Sequence, residues 1–306
     1  MKNESKVKDN LTNMGREWLF FNKNSLKNST LQTYEYILDK HIAESALSYC
    51  SIGKITSEDI VDYSRKLLTE NLSPKTVNTI LLEINSIFKF AKTMYGINPP
   101  YIKYVRDMKN EMRVLTVAEQ EKLELYLREN PDNYNLGVLF ALYTGVRIGE
   151  LCALKWENIS DGAVRINKTM HRLRDENGKS RVMIDNPKTP SSNRTIPLPD
   201  FLSRIVESRR DSDGSYFLAG ESVKMVEPRL MQKHFGKITE LCALDGVTFH
   251  TLRHTFTTRC IECGFDAKTL SEILGHSDVK TTLNRYVHCS LELKRNSMNL
   301  LERLAV

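Results

Sequence analysis

The sequence predicts a mainly α protein with a small antiparallel β-sheet, organised as an N-terminal four-helix bundle followed by a larger α+β domain. Three observations carry that expectation. Apolar residues recur at helical spacing through the first hundred positions, a polar stretch without period follows, and three short β-rich segments then interrupt an otherwise helical pattern. A chain of 306 residues is long enough for two ordinary domains.

The first helix is expected over 10–22, where Leu11, Met14, Trp18 and Phe21 fall on one face. Ser29 and Thr30 can cap a second helix carrying Leu31, Tyr34, Ile37 and Leu38. Thr56 with Asp59 reads as a capping box for a third, with Ile60, Tyr63 and Leu67 inward. Ser73-Pro74 supplies an N-cap and a proline at the first helical position of a fourth, which runs through Val77, Ile80, Leu81, Ile84, Ile87 and Phe88. It should stop before Gly96 and Pro99-Pro100. Residues 101–113 are polar and basic without a period, so the expected division is a helical domain over 1–105, a linker over 106–113 and a second domain over 114–306.

Thr116 and Glu119 form a second capping box that opens the second domain. Residues 135–157 are helical in pattern with a break at Thr144-Gly145. The stretches 163–170, 181–185 and 194–198 read as a small antiparallel sheet with a hairpin, separated by turn residues such as Asn177 and Gly178. Helical pattern returns from Pro228 to the end.

Composition narrows the function classes. Charged residues make up 27% of the chain and hydrophobic ones 41%, which fits a folded domain rather than a disordered one. The longest apolar run, 136–143, is far short of the roughly 18 residues a membrane span needs. The polar start with Glu4 and Asp9 is unlike a signal or transit peptide, so a cytoplasmic protein without a membrane partner is expected. Net charge is +6, of which residues 1–110 carry +4, a lean toward an anionic partner such as nucleic acid. Of six cysteines only Cys260 and Cys263 form a C-x-x-C pair, and no second pair completes a zinc site. The pair lies in a helical stretch, so reduced thiols are expected.

Five features of the second domain bear on chemistry. Arg147 and Glu150 follow the helix break, and alone they could be a surface ion pair. Lys188 sits in a turn before Arg194 and its strand, where a lysine is ordinarily just solvated. His250, Arg253 and His254 crowd the start of a helix, as a hydrogen-bonded knot or an anion site. His276 follows Gly275, a plausible helix C-cap, and Tyr286 is one of twelve tyrosines.

Taken in order, Arg147, Lys188, His250 with Arg253, His276 and Tyr286 resemble the active-site signature of the tyrosine recombinases, the phage integrase family. The resemblance rests on five local matches, TGVRIGELCALKW, PKTPSSNRTIPLP, HTLRHT, LGH and TTLNRYVH, and spans essentially the whole second domain. The helical first domain is similar to the family's SAM-like core-binding domain.

That resemblance implies a site-specific recombinase that cuts and rejoins DNA through a 3′-phosphotyrosyl intermediate and a Holliday junction. Tyr286 would be the nucleophile, storing the phosphodiester energy so that no ATP is consumed. Arg147 and Arg253 would grip the non-bridging phosphate oxygens, so neither metal nor other cofactor is expected. Lys188 would protonate the leaving 5′-oxygen, His250 would act as acid and base on the tyrosine side, and His276 would bond the phosphate. Glu150 would support its neighbours.

Lys75, Thr76, Asn78 and Arg194 are candidate DNA contacts, although a solvated helix start would account for the first three. The tail 291–306, with Leu291, Met298, Leu301 and Leu304 on a helical stripe, would be the exchange helix of a homotetramer on double-stranded DNA. DNA-bending or directionality helper proteins would be its further partners.

About ten residues precede the bundle, so the expectation is either a minimal, chromosome-dimer-resolving type of recombinase or an integrase lacking an arm-binding domain. The job implied is integration or excision of a mobile element. Chromosome-dimer resolution, type IB topoisomerase chemistry and a non-cleaving DNA-binding regulator remain the alternatives.

Overall fold

Asn10 caps α1 (Leu11–Asn22), its side chain accepting from the Asn13 N–H at 2.8 Å. The computed structural model describes residues 10–107, 112–174, 179–186, 190–211, 214–219, 225–276, 278–279 and 295. The chain falls into two compact units, Met1–Asn110 with Leu173–Lys179, and Glu111–Arg172 with Ser180–Val306.

In the first unit, α2 (Asn28–Ile37) starts two residues earlier than a Ser29 cap would place it, behind Lys27, and runs into a π-helical turn at Leu38–Ile42. The Thr56 capping box opens α3 (Ser57–Thr69), with Asp59 accepting from the Thr56 N–H and Thr56 from the Asp59 N–H. Ser73 and Pro74 open α4 (Pro74–Tyr95), which ends on Gly96 in the left-handed conformation. Its face Val77, Ile80, Leu81, Ile84, Ile87 and Phe88 is fully buried and forms the middle of the bundle core.

The second unit opens with α5 (Val117–Glu129) behind the Thr116–Glu119 box, then α6 (Asn133–Thr144), which is buried on nearly every side, and the short α7 (Ile148–Ala153). The β-rich stretches form two sheets rather than one. Strands β1 (Ile159–Ser160), β2 (Ala163–Ile166) and β5 (Arg194–Pro197) make an antiparallel sheet in the order β1-β2-β5. Among the described residues, strands β3 (Thr169–Arg174) and β4 (Ser180–Asp185) pair only with each other. The stretch expected as one strand over 163–170 thus turns between Ile166 and Thr169, and its second part leaves for the hairpin.

Helix α8 (Asp200–Glu207) follows β5, and α9 (Pro228–Leu241), α10 (Phe249–Glu262) and α11 (Ala267–Leu274) complete the described unit. Cys260 is buried in α10 and Cys263 caps it, so the C-x-x-C pair lies on a helix end. Among the described residues no helix is long and apolar enough to cross a membrane.

Candidate active site

The turn between α6 and α7 begins the site. Gly145 ends α6 at φ +64°, and a β-carbon there would lie 2.5 Å from the Phe256 ring of α10. With the chain turned this way, Arg147 becomes the N-cap position of α7. Glu150, one turn on, accepts from the Arg147 N–H at 3.0 Å and from its guanidinium at 2.8 Å. Arg147 stays partly exposed while Glu150 is buried, so the arginine is fixed at one end and open at the other.

Glu150 is held from its other side by Arg194, which donates to Oε1 at 3.2 Å and to Oε2 at 2.9 Å. Burial pushes the Glu150 carboxyl up, but the Arg194 bonds and charge, with Arg147, outweigh it and leave the carboxyl below its ordinary value. A buried carboxylate shared by two guanidiniums is paired and bonded, the condition under which a buried charge is tolerated.

Arg194 also donates to the Ile273 carbonyl at 2.5 Å and the Ser192 carbonyl at 3.2 Å. Arg194, one of the candidate DNA contacts, is thus buried and bonded to protein groups. Strand β5 alternates buried and exposed from its first residue, which turns Arg194 inward beside Ile196. It is a scaffold arginine, joining β5, α7 and the end of α11. Gly275 ends α11 at φ +65°, and a β-carbon there would press within 3.0 Å of the Arg194 side chain.

Arg253 binds the same segments from α10. Its guanidinium donates to the Gly145 carbonyl at 2.6 Å and the Leu274 carbonyl at 2.7 Å, and meets His276 Nε2 at 3.0 Å. An arginine can only donate, so this last contact takes His276 as an imidazole whose Nε2 accepts and whose proton is on Nδ1. His250 lies exposed in the first turn of α10, its ring edge-on to His254 at 4.4 Å between centroids.

Arg147, Glu150, Arg253 and His276 thus come together through two shared backbone segments, with His250 one turn before Arg253 on the same helix. Lys188 and Tyr286 lie outside the described residues, as does the tail 291–306 apart from Arg295. In the first unit Lys75 is exposed, and Thr76 is engaged with Ser73 at the helix start, hydroxyl to hydroxyl at 2.8 Å. Asn78 exchanges two hydrogen bonds with the Val105 backbone, at 2.9 and 2.8 Å, which secures the segment after the bundle.

Comparison with known proteins gives these contacts a context. The model of the phage integrase family matches residues 109–292, and that of the phage integrase N-terminal SAM-like domain matches residues 14–68. The XerC-like tyrosine recombinase of Caldanaerobacter subterraneus is 28% identical over 321 aligned residues, covering 94% of this chain and 82% of its own. The ICEBs1 integrase of Bacillus subtilis is 27% identical, covering 84% of this chain and 73% of its own.

Among solved structures, the Tn1549 transposon integrase in complex with a circular intermediate DNA superposes with a TM-score of 0.82 at 21% identity, over 96% of this chain and 99% of that one. A lambda integrase tetramer bound to a Holliday junction gives 0.68 at 17% identity, over 94% and 81%. These two likenesses carry the fold, both domains of it. The family model covers well over half of the chain and includes every motif whose contacts meet at Glu150 and Arg253, and the chain belongs to the phage integrase family, the tyrosine site-specific recombinases.

Proposed function

We propose that this recombinase cleaves double-stranded DNA by attack of the Tyr286 phenol oxygen on phosphorus. The Tyr286 Oη–P bond forms, the P–O5′ bond breaks, and the 5′-oxygen takes a proton from Lys188. The products are a 3′-phosphotyrosyl link and a free 5′-hydroxyl, and the reverse reaction with a second 5′-hydroxyl completes the strand exchange. Arg147 and Arg253 stabilise the charge on the non-bridging oxygens, His276 shares the phosphate with Arg253, and His250 takes the phenolic proton. Exchange in two pairs of strands passes through a Holliday junction.

The observation that best supports this reading is the Arg253 guanidinium. It bonds Gly145, two residues before Arg147, and Leu274, two before His276, while touching His276 itself. Three motifs, spread in sequence from Gly145 to His276, thereby share one anchor. Preorganised cations of this kind cost no reorganisation as charge develops, and each donor is worth on the order of 10²–10³ in rate.

The biological role we assign is integration and excision of a mobile element, in line with relatives named as a Bacillus subtilis ICEBs1 integrase and a Staphylococcus phage L54a integrase. Xer recombinases are also among the relatives, which keeps chromosome-dimer resolution as the second reading. Assembly as a homotetramer on DNA through the tail 291–306, helper proteins and a cytoplasmic location belong to the same proposal.

Covalent trapping tests the chemistry. Nicked duplexes from the DNA flanking the gene, incubated without metal or ATP and then denatured, should give a protein–DNA adduct that Tyr286→Phe abolishes. Tight binding without any adduct would instead favour a non-cleaving regulator.

A further inference from the structure

Arg194 carries a buried charge that the proposed chemistry has not used; its side chain is only 5% exposed. Each bond it makes among the described residues is internal: two to the Glu150 carboxylate, one to the Ile273 carbonyl and one to the Ser192 carbonyl. Gly275 closes on it from the end of α11, where a β-carbon would lie 3.0 Å from Arg194 Cδ and from its Nη1.

Glu150 in turn has two hydrogen bonds on each oxygen. Its Oε1 accepts from Arg147 Nη1 at 2.8 Å and from Arg194 Nη1 at 3.2 Å. Its Oε2 accepts from the Arg147 N–H at 3.0 Å and from Arg194 Nη2 at 2.9 Å. That fills the roughly four acceptor positions of a carboxylate. An Arg147–Glu150 pair alone would be neutral, and the carboxylate would cancel much of the field Arg147 presents at its exposed end. With Arg194 on the same carboxylate, two positive charges stand against one negative, a net of +1. Stability gives no reason for the third charge, since replacing buried ion pairs or triads by apolar residues is often neutral or stabilising.

We infer that Arg194 is a positioning residue that shares the charge of Glu150, so that Glu150 holds Arg147 in place without neutralising it toward the scissile phosphate. Arg194 acts through Glu150 and Arg147 rather than on the phosphate. The inference rests on the reading of Arg147 as a phosphate-gripping residue.

A substrate without the phosphate charge separates this role from that of a mere brace between β5, α7 and α11. A methylphosphonate at the scissile position replaces one non-bridging oxygen by methyl and leaves the diester neutral. Stabilisation of its negative charge then no longer governs the rate. Single-turnover cleavage would be measured on matched nicked duplexes carrying the phosphodiester or either methylphosphonate stereoisomer. The proteins are full-length wild type, Arg194→Met, Arg194→Lys, Glu150→Gln/Arg194→Met and Arg147→Ala, each checked for folding by thermal denaturation.

Arg194→Met should cleave the phosphodiester about 100-fold more slowly, the order of one lost oxyanion donor, and the methylphosphonate within about threefold of wild type. Arg194→Lys keeps the charge and should stay within about tenfold of wild type on the phosphodiester. Glu150→Gln/Arg194→Met should also return to within about tenfold, because a neutral amide accepts from Arg147 without cancelling it. These two variants carry the test if Arg194→Met does not fold. An equal loss by Arg194→Met on both substrates would overturn charge sharing and leave Arg194 a brace. So would a phosphodiester rate for Arg194→Lys or the double variant as low as that of Arg194→Met, or full activity of Arg194→Met. If Arg147→Ala were slowed alike on both substrates, the reading of Arg147 as the phosphate grip would fall, and the inference with it.

Discussion

Glu83 of α4 is the most unusual single residue in the first unit. It is fully buried, and neither carboxylate oxygen has a hydrogen-bond partner among the described residues. Burial in the apolar bundle pushes its pKa up to about 9 from an ordinary 4.5. Folded protein therefore keeps this proton while the unfolded chain loses it above about pH 4.5, so folding takes up a proton and stability falls as pH rises from about 4.5 toward 9. At pH 7 the cost is roughly 3 kcal/mol. Glu83→Met should raise the melting temperature at pH 8 and much less at pH 5, as followed by thermal denaturation. A pH-independent effect would show that the carboxyl finds a partner.

Glu150 shows the opposite balance at the same scale. Its paired carboxylate contributes stability that is present above the unfolded-state pKa and lost as pH falls through the lowered folded value. The difference lies in partners rather than depth, since both carboxylates are buried and only Glu150 has two arginines. The sequence alone marks Arg147–Glu150 through their spacing, but Arg194 reaches Glu150 from 44 positions away. One cue to its inward face was legible beforehand: Arg194 and Ile196 are two apart on one strand, and a strand that buries Ile196 buries both.

At the scale of elements, the junction of α7 with β3 carries most consequence. Replacing glycine by alanine inside a helix ordinarily stabilises by about 1 kcal/mol. At Gly149 the sign should reverse, because the added methyl meets backbone, the Met170 carbonyl at 2.6 Å, which has no rotamer to yield. Gly149→Ala should lower the chemical-denaturation midpoint by about 1–3 kcal/mol in equivalent stability. It should also slow cleavage by displacing Arg147. A stabilised variant would mean that β3 can shift without cost. The helix starts were largely legible, since Thr56, Ser73 and Thr116 satisfy orphan N–H groups through local chemistry. The start of α2 was not, because Lys27 makes no side-chain cap and Ser29-Thr30 lies inside the helix.

For the whole molecule, the separation into two units fits a protein that must engage a duplex and also cut it. The tail 291–306 is the proposed link between copies. Truncation after Asn296 should abolish higher-order complexes on paired sites in native gels and leave binding to a single site within about twofold, since phosphate contacts supply most of that affinity. Tetramers that survive truncation would remove the tail from the interface.

The sequence by itself determined the capped starts of α3, α4 and α5, the two-domain order and the ordered set of motifs that identify the family, because each is carried by residues close together in the chain. Only the tertiary structure decided that the strands divide into a three-stranded sheet and a separate hairpin, that Arg194 is scaffold, and that Arg253 ties Gly145 to Leu274. The last two outcomes rest on hydrogen bonds between groups 21 to 108 residues apart. Bonds of that kind form only where packing brings the segments within about 3 Å, and no local pattern encodes that distance.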